Sequence, residues 1–141
     1  TKLSGETADP EAVVLVDTMG ELAELYAAAD LVFVGGSLIP HGGQNMMDPA
    51  GYGRAVLFGP HIQNFQASVD ILLDAGAAVM VPDAAALEAE IFALVDDPDR
   101  VRGIGERARQ VVIDQQGASR RTMDLIRPWI EAAGATTRSK V

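Results

Sequence analysis

The sequence predicts the α/β class, with a parallel sheet and flanking helices. Short apolar runs rich in β-branched residues alternate four times with segments of helical periodicity, which is the pattern of successive strand–helix units. The loops after these runs are rich in glycine, proline and polar residues, which mark strand ends. We therefore expect a Rossmann-like sheet that consecutive helices close at the end of the chain.

The strands are predicted where a continuous apolar run is bounded by turn residues, because a strand covered on both faces needs apolar side chains on both. The four runs are Val13–Asp17, Leu31–Gly35, Ala55–Phe58 and Ala77–Val81. The segments between them carry apolar side chains at helical spacing. These helices span about Gly20–Ala29, Asn45–Tyr52 and Phe65–Ala75.

Three helices are predicted after the last strand. The first begins at Asp83 and is expected to turn four apolar side chains inward: Leu87, Ile91, Leu94 and Val95. The second starts at Asp97-Pro98, with the aspartate as N-cap and the proline at the first helical position, and runs to about Gln115. The third presents an apolar stripe formed by Thr122, Leu125, Ile126, Trp129 and Ile130.

Length and composition limit the function classes. The 141 residues fit one domain, which we place at residues 13–133, with a tail or linker at 1–12 and a disordered tail at 134–141. The net charge of −9 argues against a nucleic-acid partner. The chain has no cysteine and therefore no disulfide or thiolate metal site. No apolar run approaches the roughly 20 residues of a membrane span, so we expect the fragment to be soluble.

Three loops leave the carboxyl ends of the predicted strands, where open parallel sheets bind their ligands. They are Asp17–Glu21, Gly35–Asp48 and Gly59–Asn64. In the first loop, Thr18 and Glu21 have the spacing of a capping box, in which each side chain satisfies the backbone N–H of the other. Glu21 would also be placed to offer an oxygen to a ribose, and the sequence leaves both roles open.

The second loop is the most informative stretch. Paired glycines occur at Gly35-Gly36 and again at Gly42-Gly43, and a helix then opens near Asn45. Glycines allow the backbone to approach a ligand, and helix-terminal N–H groups attract anions. Asp48 places a carboxylate within reach of a sugar hydroxyl, so the loop indicates a sugar-nucleotide site. Structural explanations are also open, since Asp48 complements a helix dipole and Met46 and Met47 are common core residues.

The remaining polar residues of these loops suggest no catalytic group. Ser37 is expected to donate a hydrogen bond to a phosphate rather than to act as a nucleophile. His41 and His61 lack matching carboxylate or thiolate ligands, so we expect no metal and no cofactor.

Several ordered motifs resemble the carboxy-terminal domain of the 3-deoxy-D-manno-octulosonic-acid (Kdo) transferases of lipopolysaccharide synthesis. The resemblance covers about Val13 to Ile126. The first motif runs through Asp17-Thr18-Met19-Gly20-Glu21-Leu22 and Tyr26-Ala27-Ala28-Ala29-Asp30 to Phe33-Val34-Gly35-Gly36-Ser37-Leu38. The second is Gly42-Gly43-Gln44-Asn45-Met46-Met47-Asp48-Pro49-Ala50. The third is Val56-Leu57-Phe58-Gly59-Pro60-His61 with Asn64-Phe65, and Gly117-Ala118 closes the series.

The resemblance implies the two-domain GT-B glycosyltransferase fold, with the donor CMP-Kdo held largely by the second domain. It assigns CMP or donor binding to two segments and the loop between them. These residues are Met19, Gly20, Glu21, Gly36, Ser37, Gly43, Gln44, Asn45, Met46, Met47 and Asp48. The family usually reads Gly-Gly-His-Asn-Pro-Leu-Glu in the second motif, so Gln44 replaces a histidine and Asp48 replaces a longer glutamate.

The resemblance also implies that this chain is a fragment. The family's amino-terminal domain, with its membrane segment, acceptor site and general base, is expected to be missing, and so are the opening βα units of the second domain. We therefore expect no catalytic residue here and no transfer to a lipid A precursor by the fragment alone, while the full-length protein would work at the cytoplasmic face of the inner membrane. The C-terminal helix is expected to support a homo-oligomer.

Two alternative functions are open. The first is another nucleotide-sugar enzyme, such as a hexosamine transferase or epimerase, and the second is a non-catalytic nucleotide-binding module.

Overall fold

A computed structural model of the chain describes residues 13–117 and 122–130. Three parallel strands form one sheet in the order β1-β2-β3: β1 Leu31–Phe33, β2 Ala55–Phe58 and β3 Ala78–Met80. Five helices are α1 Leu22–Ala28, α2 Met47–Gly51, α3 Gln66–Asp74, α4 Ala84–Val95 and α5 Pro98–Gln115, with a 3-10 turn at Gln63–Phe65. A further helix, α6, spans residues 122–130. The predicted α/β class with a parallel sheet and flanking helices is confirmed.

The central strand β2 organises the core. All four of its residues are buried, and it pairs with β1 through Val32–Val56 and with β3 through Leu57–Val79. On one face, Val56 and Phe58 pack in a cluster with side chains of α2, α3 and α5, which include Ala50, Val69, Leu72 and Ala108. On the other face, Ala55 and Leu57 pack with Leu94 of α4 and Ile104 of α5. Helices therefore cover both faces, which explains the continuous apolar composition of β2.

The predicted first strand is wrong. Residues 13–18 have no regular secondary structure, and the side chains from Val13 to Val16 are exposed. A β-branched run forms a strand only where a neighbour supplies hydrogen bonds and packing. Val13–Val16 has no such neighbour among the described residues, although it precedes α1 and β1 in sequence.

The predicted helices form, with shorter boundaries and some differences in burial. Asp97 caps α5 as predicted, accepting from the backbone N–H of Arg100 at 3.0 Å. Asp83, where α4 was predicted to begin, caps that helix by accepting from the N–H of Ala86 at 2.8 Å. Leu94 is fully buried, but Val95 is 61% exposed, so its predicted inward position is wrong. The helix α1 buries none of its residues completely, since few described elements pack against it.

The ends of the chain lie largely outside the described residues. This holds for the tail or linker predicted at 1–12 and for the disordered tail predicted at 134–141. Within α6, every residue is exposed, including Trp129 on the predicted apolar stripe. In the part of the chain that is described, no helix has both the length and the apolar character needed to cross a membrane.

The loops that leave β1 and β2 are joined by Ser37. This side chain is completely buried, and its hydroxyl donates to the carbonyl oxygen of Val34 while accepting from the backbone N–H of Gly59 at 2.8 Å. The backbone N–H of His61 donates to the Ser37 carbonyl at 2.9 Å. Gly59 must be a glycine, because a Cβ there would lie 2.6 Å from the carbonyl carbon of Ser37. We call this arrangement the Ser37–Gly59 clasp.

A second close approach joins α5 to the turn before β2. A Cβ on Gly105 would overlap the carbonyl group of Gly53, with the carbonyl carbon at 2.9 Å. Gly103, on the same helix, has only the end of the Arg107 side chain nearby, at 3.3 Å. The absence of a side chain at Gly105 therefore sets how closely α5 packs on the sheet.

We predict that Gly105→Ala lowers the free energy of unfolding by about 1–3 kcal/mol, because the added methyl group forces α5 away from the Gly53 turn. Gly103→Ala is the matched control. It gains the same helix propensity, up to about 1 kcal/mol, and needs only a side-chain adjustment. Urea unfolding of both variants measures the difference, and equal stabilities would contradict the close-packing account.

We also predict that Ser37→Ala lowers the free energy of unfolding by about 1–3 kcal/mol, because the Gly59 N–H and Val34 carbonyl each lose a buried partner. Ser68→Ala provides the control, since Ser68 is half-buried on α3 and makes no hydrogen bond among the described residues. Thermal and urea unfolding compare the two serines. A Ser37→Ala protein as stable as Ser68→Ala would show that the clasp contributes nothing.

Candidate functional site

A groove of about 850 Å³ runs along β1 at the side of the sheet that β2 does not cover. Apolar side chains of α1 and β1 form much of its wall, and the residues just before α2 close its end. Its polar members are Tyr26, Gln44, Asn45 and Asp48. The groove therefore extends to the carboxyl edge of the sheet, where ligands bind in folds of this class.

The Gly-rich loop between β1 and α2 is folded back on itself and on the loop after β2. The N–H of Gly43 donates to the carbonyl of Gly36 at 3.3 Å. Gly42 has a φ of +96°, and a Cβ there would lie 3.0 Å from the side-chain carbon Cγ of Asn64. A larger residue at Gly42 would meet both backbone strain and a steric obstacle, so this glycine serves the fold of the loop as well as access to a ligand.

The residues at the start of α2 lie either in the hydrophobic core or along the groove. The side-chain oxygen of Asn45 accepts from the backbone N–H of Met47 at 3.0 Å and holds the turn. Met46 is completely buried in the core, and Met47 packs partly against the same cluster. Gln44 and Asp48 are exposed. Of the predicted donor-binding residues in this motif, Gln44, Asn45 and Asp48 line the groove, while Met46 has no surface exposed to a ligand.

The predicted contact of Ser37 with phosphate is wrong. Its single hydroxyl proton is donated to Val34, and the side chain has no exposed surface. Sequence alone could not tell whether Ser37 binds a phosphate or stabilises a buried turn, because a serine after two glycines is compatible with both. The neighbouring Gly36, with a φ of +73°, is half-buried and remains available at the surface of the loop.

The segment Met19-Gly20-Glu21 lies apart from the groove lining, which begins on α1 at Leu22. Met19 is 98% exposed, and Glu21 is exposed as well. The predicted capping box is wrong: Glu21 itself occupies the N-cap position without a side-chain cap, and its carboxylate accepts from the Thr18 hydroxyl instead. The described residues thus bring the second motif to the groove, together with Tyr26 and other residues of the first motif, but not Met19-Gly20-Glu21.

Tyr26 is a groove residue that belongs to the first family motif but was given no binding role from the sequence. Its ring lies 6.2 Å from that of Tyr52, tilted by 46°. Burial raises the pKa of the Tyr26 phenol, and the negative charge of Asp48 raises it further. The electrostatic influence of Asp48 shows that α1 and α2 bring these two polar groups to one place.

The two loop histidines do not form a metal site with their neighbours. Among the described residues, no group of three or more His, Asp or Glu side chains is arranged to hold a metal ion. A second cavity of about 620 Å³ lies at the amino edge of the sheet, beside Asp30, Arg54 and Arg109. We place the functional site in the groove along β1, because the amino edge is opposite to the side where parallel sheets bind ligands.

Comparison with known proteins agrees with the motifs at this groove. No family model matches the chain. It is 39% identical over 127 residues to the 3-deoxy-D-manno-octulosonic acid transferase of Bordetella pertussis, an alignment that covers 90% of the chain and 30% of that enzyme. The corresponding transferase of Haemophilus influenzae is 35% identical over 120 residues, with 84% of the chain and 28% of the enzyme covered.

A solved structure shows the same relationship in three dimensions. The C-terminal CMP-Kdo binding domain of WaaA from Acinetobacter baumannii superimposes with a TM-score of 0.65 and 34% sequence identity, over 69% of this chain and 51% of that domain. The chain thus spans about a third of the length of the transferases and about half of the solved domain. Over the matched residues, the chain belongs to the Kdo transferase family and corresponds to part of its C-terminal domain.

Proposed function

We propose that this chain is the donor-binding part of a Kdo transferase and that it holds CMP-Kdo in the groove along β1. The similarity to a CMP-Kdo binding domain carries the proposal. The position of Gln44, Asn45 and Asp48 in one groove supports it, since these are the polar residues of the family motif. A nucleotide sugar needs such a surface, with hydrogen-bonding groups for its hydroxyls placed beside apolar walls.

Within the groove, we assign the phosphate to the Gly-rich loop and the sugar hydroxyls to Asp48. This loop reaches the groove at Gly35 and Gln44, whose backbone N–H groups would stabilise the charge that develops on cytidylate as it leaves. The carboxylate of Asp48 only accepts hydrogen bonds, so it suits a hydroxyl and disfavours a phosphate. Met19, Gly20 and Glu21 complete the proposed CMP site as a second segment. None of these three residues lines the groove, so their assignment rests on the family motif.

The reaction of the whole protein is the transfer of Kdo from CMP-Kdo to a lipid A precursor at the cytoplasmic face of the inner membrane. The acceptor site and the general base would belong to the amino-terminal domain. We therefore propose that the present chain binds the donor but does not catalyse transfer. An assay with CMP-Kdo and a lipid A precursor tests this, and transfer by the isolated chain would overturn it.

We predict that an NMR titration shows CMP binding more tightly than UMP or AMP, because the family site recognises cytidine. The affinity for CMP should itself be weak, because only part of that site is present. The shifted amides should include those of Gly35–Asp48. Asp48→Asn should weaken CMP binding roughly tenfold, since a hydrogen bond to a charged group is lost. Asp30→Asn, at the amino edge of the sheet, is the control and should leave CMP affinity unchanged.

Two outcomes would contradict the proposed site. The first is a preference for AMP, which would favour a different nucleotide-binding module. The second is an equal change of affinity in the Asp48→Asn and Asp30→Asn variants, which would indicate an effect of net charge or of the fold rather than a defined contact at Asp48.

We also propose that α6 supports a homo-oligomer. Its stripe is uncovered in the single chain, where Leu125 and Trp129 are 74% and 78% exposed, and apolar surface of this kind favours association. Sedimentation at several concentrations should show an oligomer that Trp129→Glu dissociates. Arg127→Gln, which makes the same change of net charge on a face of α6 away from the stripe, is the control. A strict monomer at all concentrations would contradict this proposal.

A further inference from the structure

The phenol of Tyr26 is a groove group to which the proposed function gives no role. Tyr26 projects from α1 into the same groove as Asn45 and Asp48 of the second motif. Its side chain is half-buried, and its ring contacts Tyr52 at the end of α2. The ring contact holds Tyr26 against the end of α2, beside the groove that both Tyr26 and Asp48 line.

The hydrogen-bonding capacity of Tyr26 and Asp48 is unused within the described residues. Neither the phenol oxygen nor the Asp48 carboxylate has a hydrogen-bond partner there. Burial of the phenol and the nearby Asp48 charge both raise the Tyr26 pKa above its ordinary value, so the phenol remains protonated and can donate. The groove therefore holds one donor and one acceptor close enough to influence each other.

The chemistry of this pair selects the kind of ligand group that fits between them. A phosphate oxygen can accept from Tyr26, but Asp48 would repel it. An ammonium group can donate to Asp48 but offers no acceptor to the phenol. An alcohol hydroxyl both accepts and donates, so it alone among these groups satisfies both side chains at once.

We propose that Tyr26 is a specificity-determining residue of the donor site and that, together with Asp48, it binds a ribose hydroxyl of CMP. The phenol donates to the ribose oxygen, and the ribose hydroxyl donates to the Asp48 carboxylate. This inference rests on the proposed CMP site. It adds a contact from α1, an element that the second motif does not include, and it predicts that the groove binds a ribose more tightly than a dideoxyribose.

The experiment combines a variant with a ligand analogue. Affinities for CMP and for 2′,3′-dideoxy-CMP are measured by NMR titration with the unmodified chain, with Tyr26→Phe and with Tyr52→Phe. Tyr26→Phe removes only the hydroxyl and keeps the ring contact, while Tyr52→Phe makes the same chemical change on the other ring of the pair. Thermal unfolding of each variant verifies that the fold is retained.

We expect Tyr26→Phe to weaken CMP binding roughly two- to tenfold, the effect of one lost hydrogen bond, and to leave dideoxy-CMP affinity unchanged. Tyr52→Phe should alter neither. The unmodified chain should itself bind CMP more tightly than dideoxy-CMP, a comparison that holds even where a variant fails to fold.

Two results would overturn the inference while leaving the CMP site intact: unchanged CMP affinity in Tyr26→Phe, or an equal loss for CMP and its dideoxy analogue. The second result would mean that the phenol acts on the fold rather than on the ribose. Failure of the unmodified chain to bind CMP at all would instead overturn the proposed function, and this inference with it.

Discussion

The buried hydroxyl of Ser37 connects the two loops on which the groove depends. It binds a carbonyl at the end of β1 and the N–H of Gly59 at the end of β2, within a space that only a glycine can fill. Parallel neighbouring strands end at the same edge, but nothing in strand pairing fixes the loops beyond that edge. The clasp supplies this constraint, because a buried polar group left without its partner costs about 1–3 kcal/mol.

The groove follows from the same constraint and from the short helix α2. With the loop after β1 held against the loop after β2, the chain returns through Gly42 and Gly43 and enters α2 with Met46 in the core. Burial of Met46 turns Asn45 and Asp48 toward the groove, where α1 contributes Tyr26. Core packing on one side of α2 thus determines which polar groups a ligand meets on the other.

Sequence patterns predicted the parts of the fold that local chemistry determines. The boundaries of β2 and the aspartate caps of α4 and α5 agree with the structure, because a continuous apolar run and an Asp before a helix carry their own signal. Val13–Val16 was misassigned because strand formation depends on neighbours. Ser37 was assigned to a phosphate, and Tyr26 was given no role in the site. The burial of Ser37 and the groove position of Tyr26 both arise from tertiary contacts, which sequence patterns do not show. The resemblance assigned Asp48 to donor binding, and the structure places this residue in the groove with Tyr26 and Asn45.

The measurement that tests the clasp most directly is amide hydrogen exchange at Gly59 and His61. Both N–H groups donate to Ser37, one to its hydroxyl and one to its carbonyl. If the clasp holds the loops, these amides exchange only with global unfolding, as slowly as the Val34 amide that pairs with Leu57. Exchange as fast as that of the exposed residues 13–17 would show that the loops open independently of the core, and it would contradict this account.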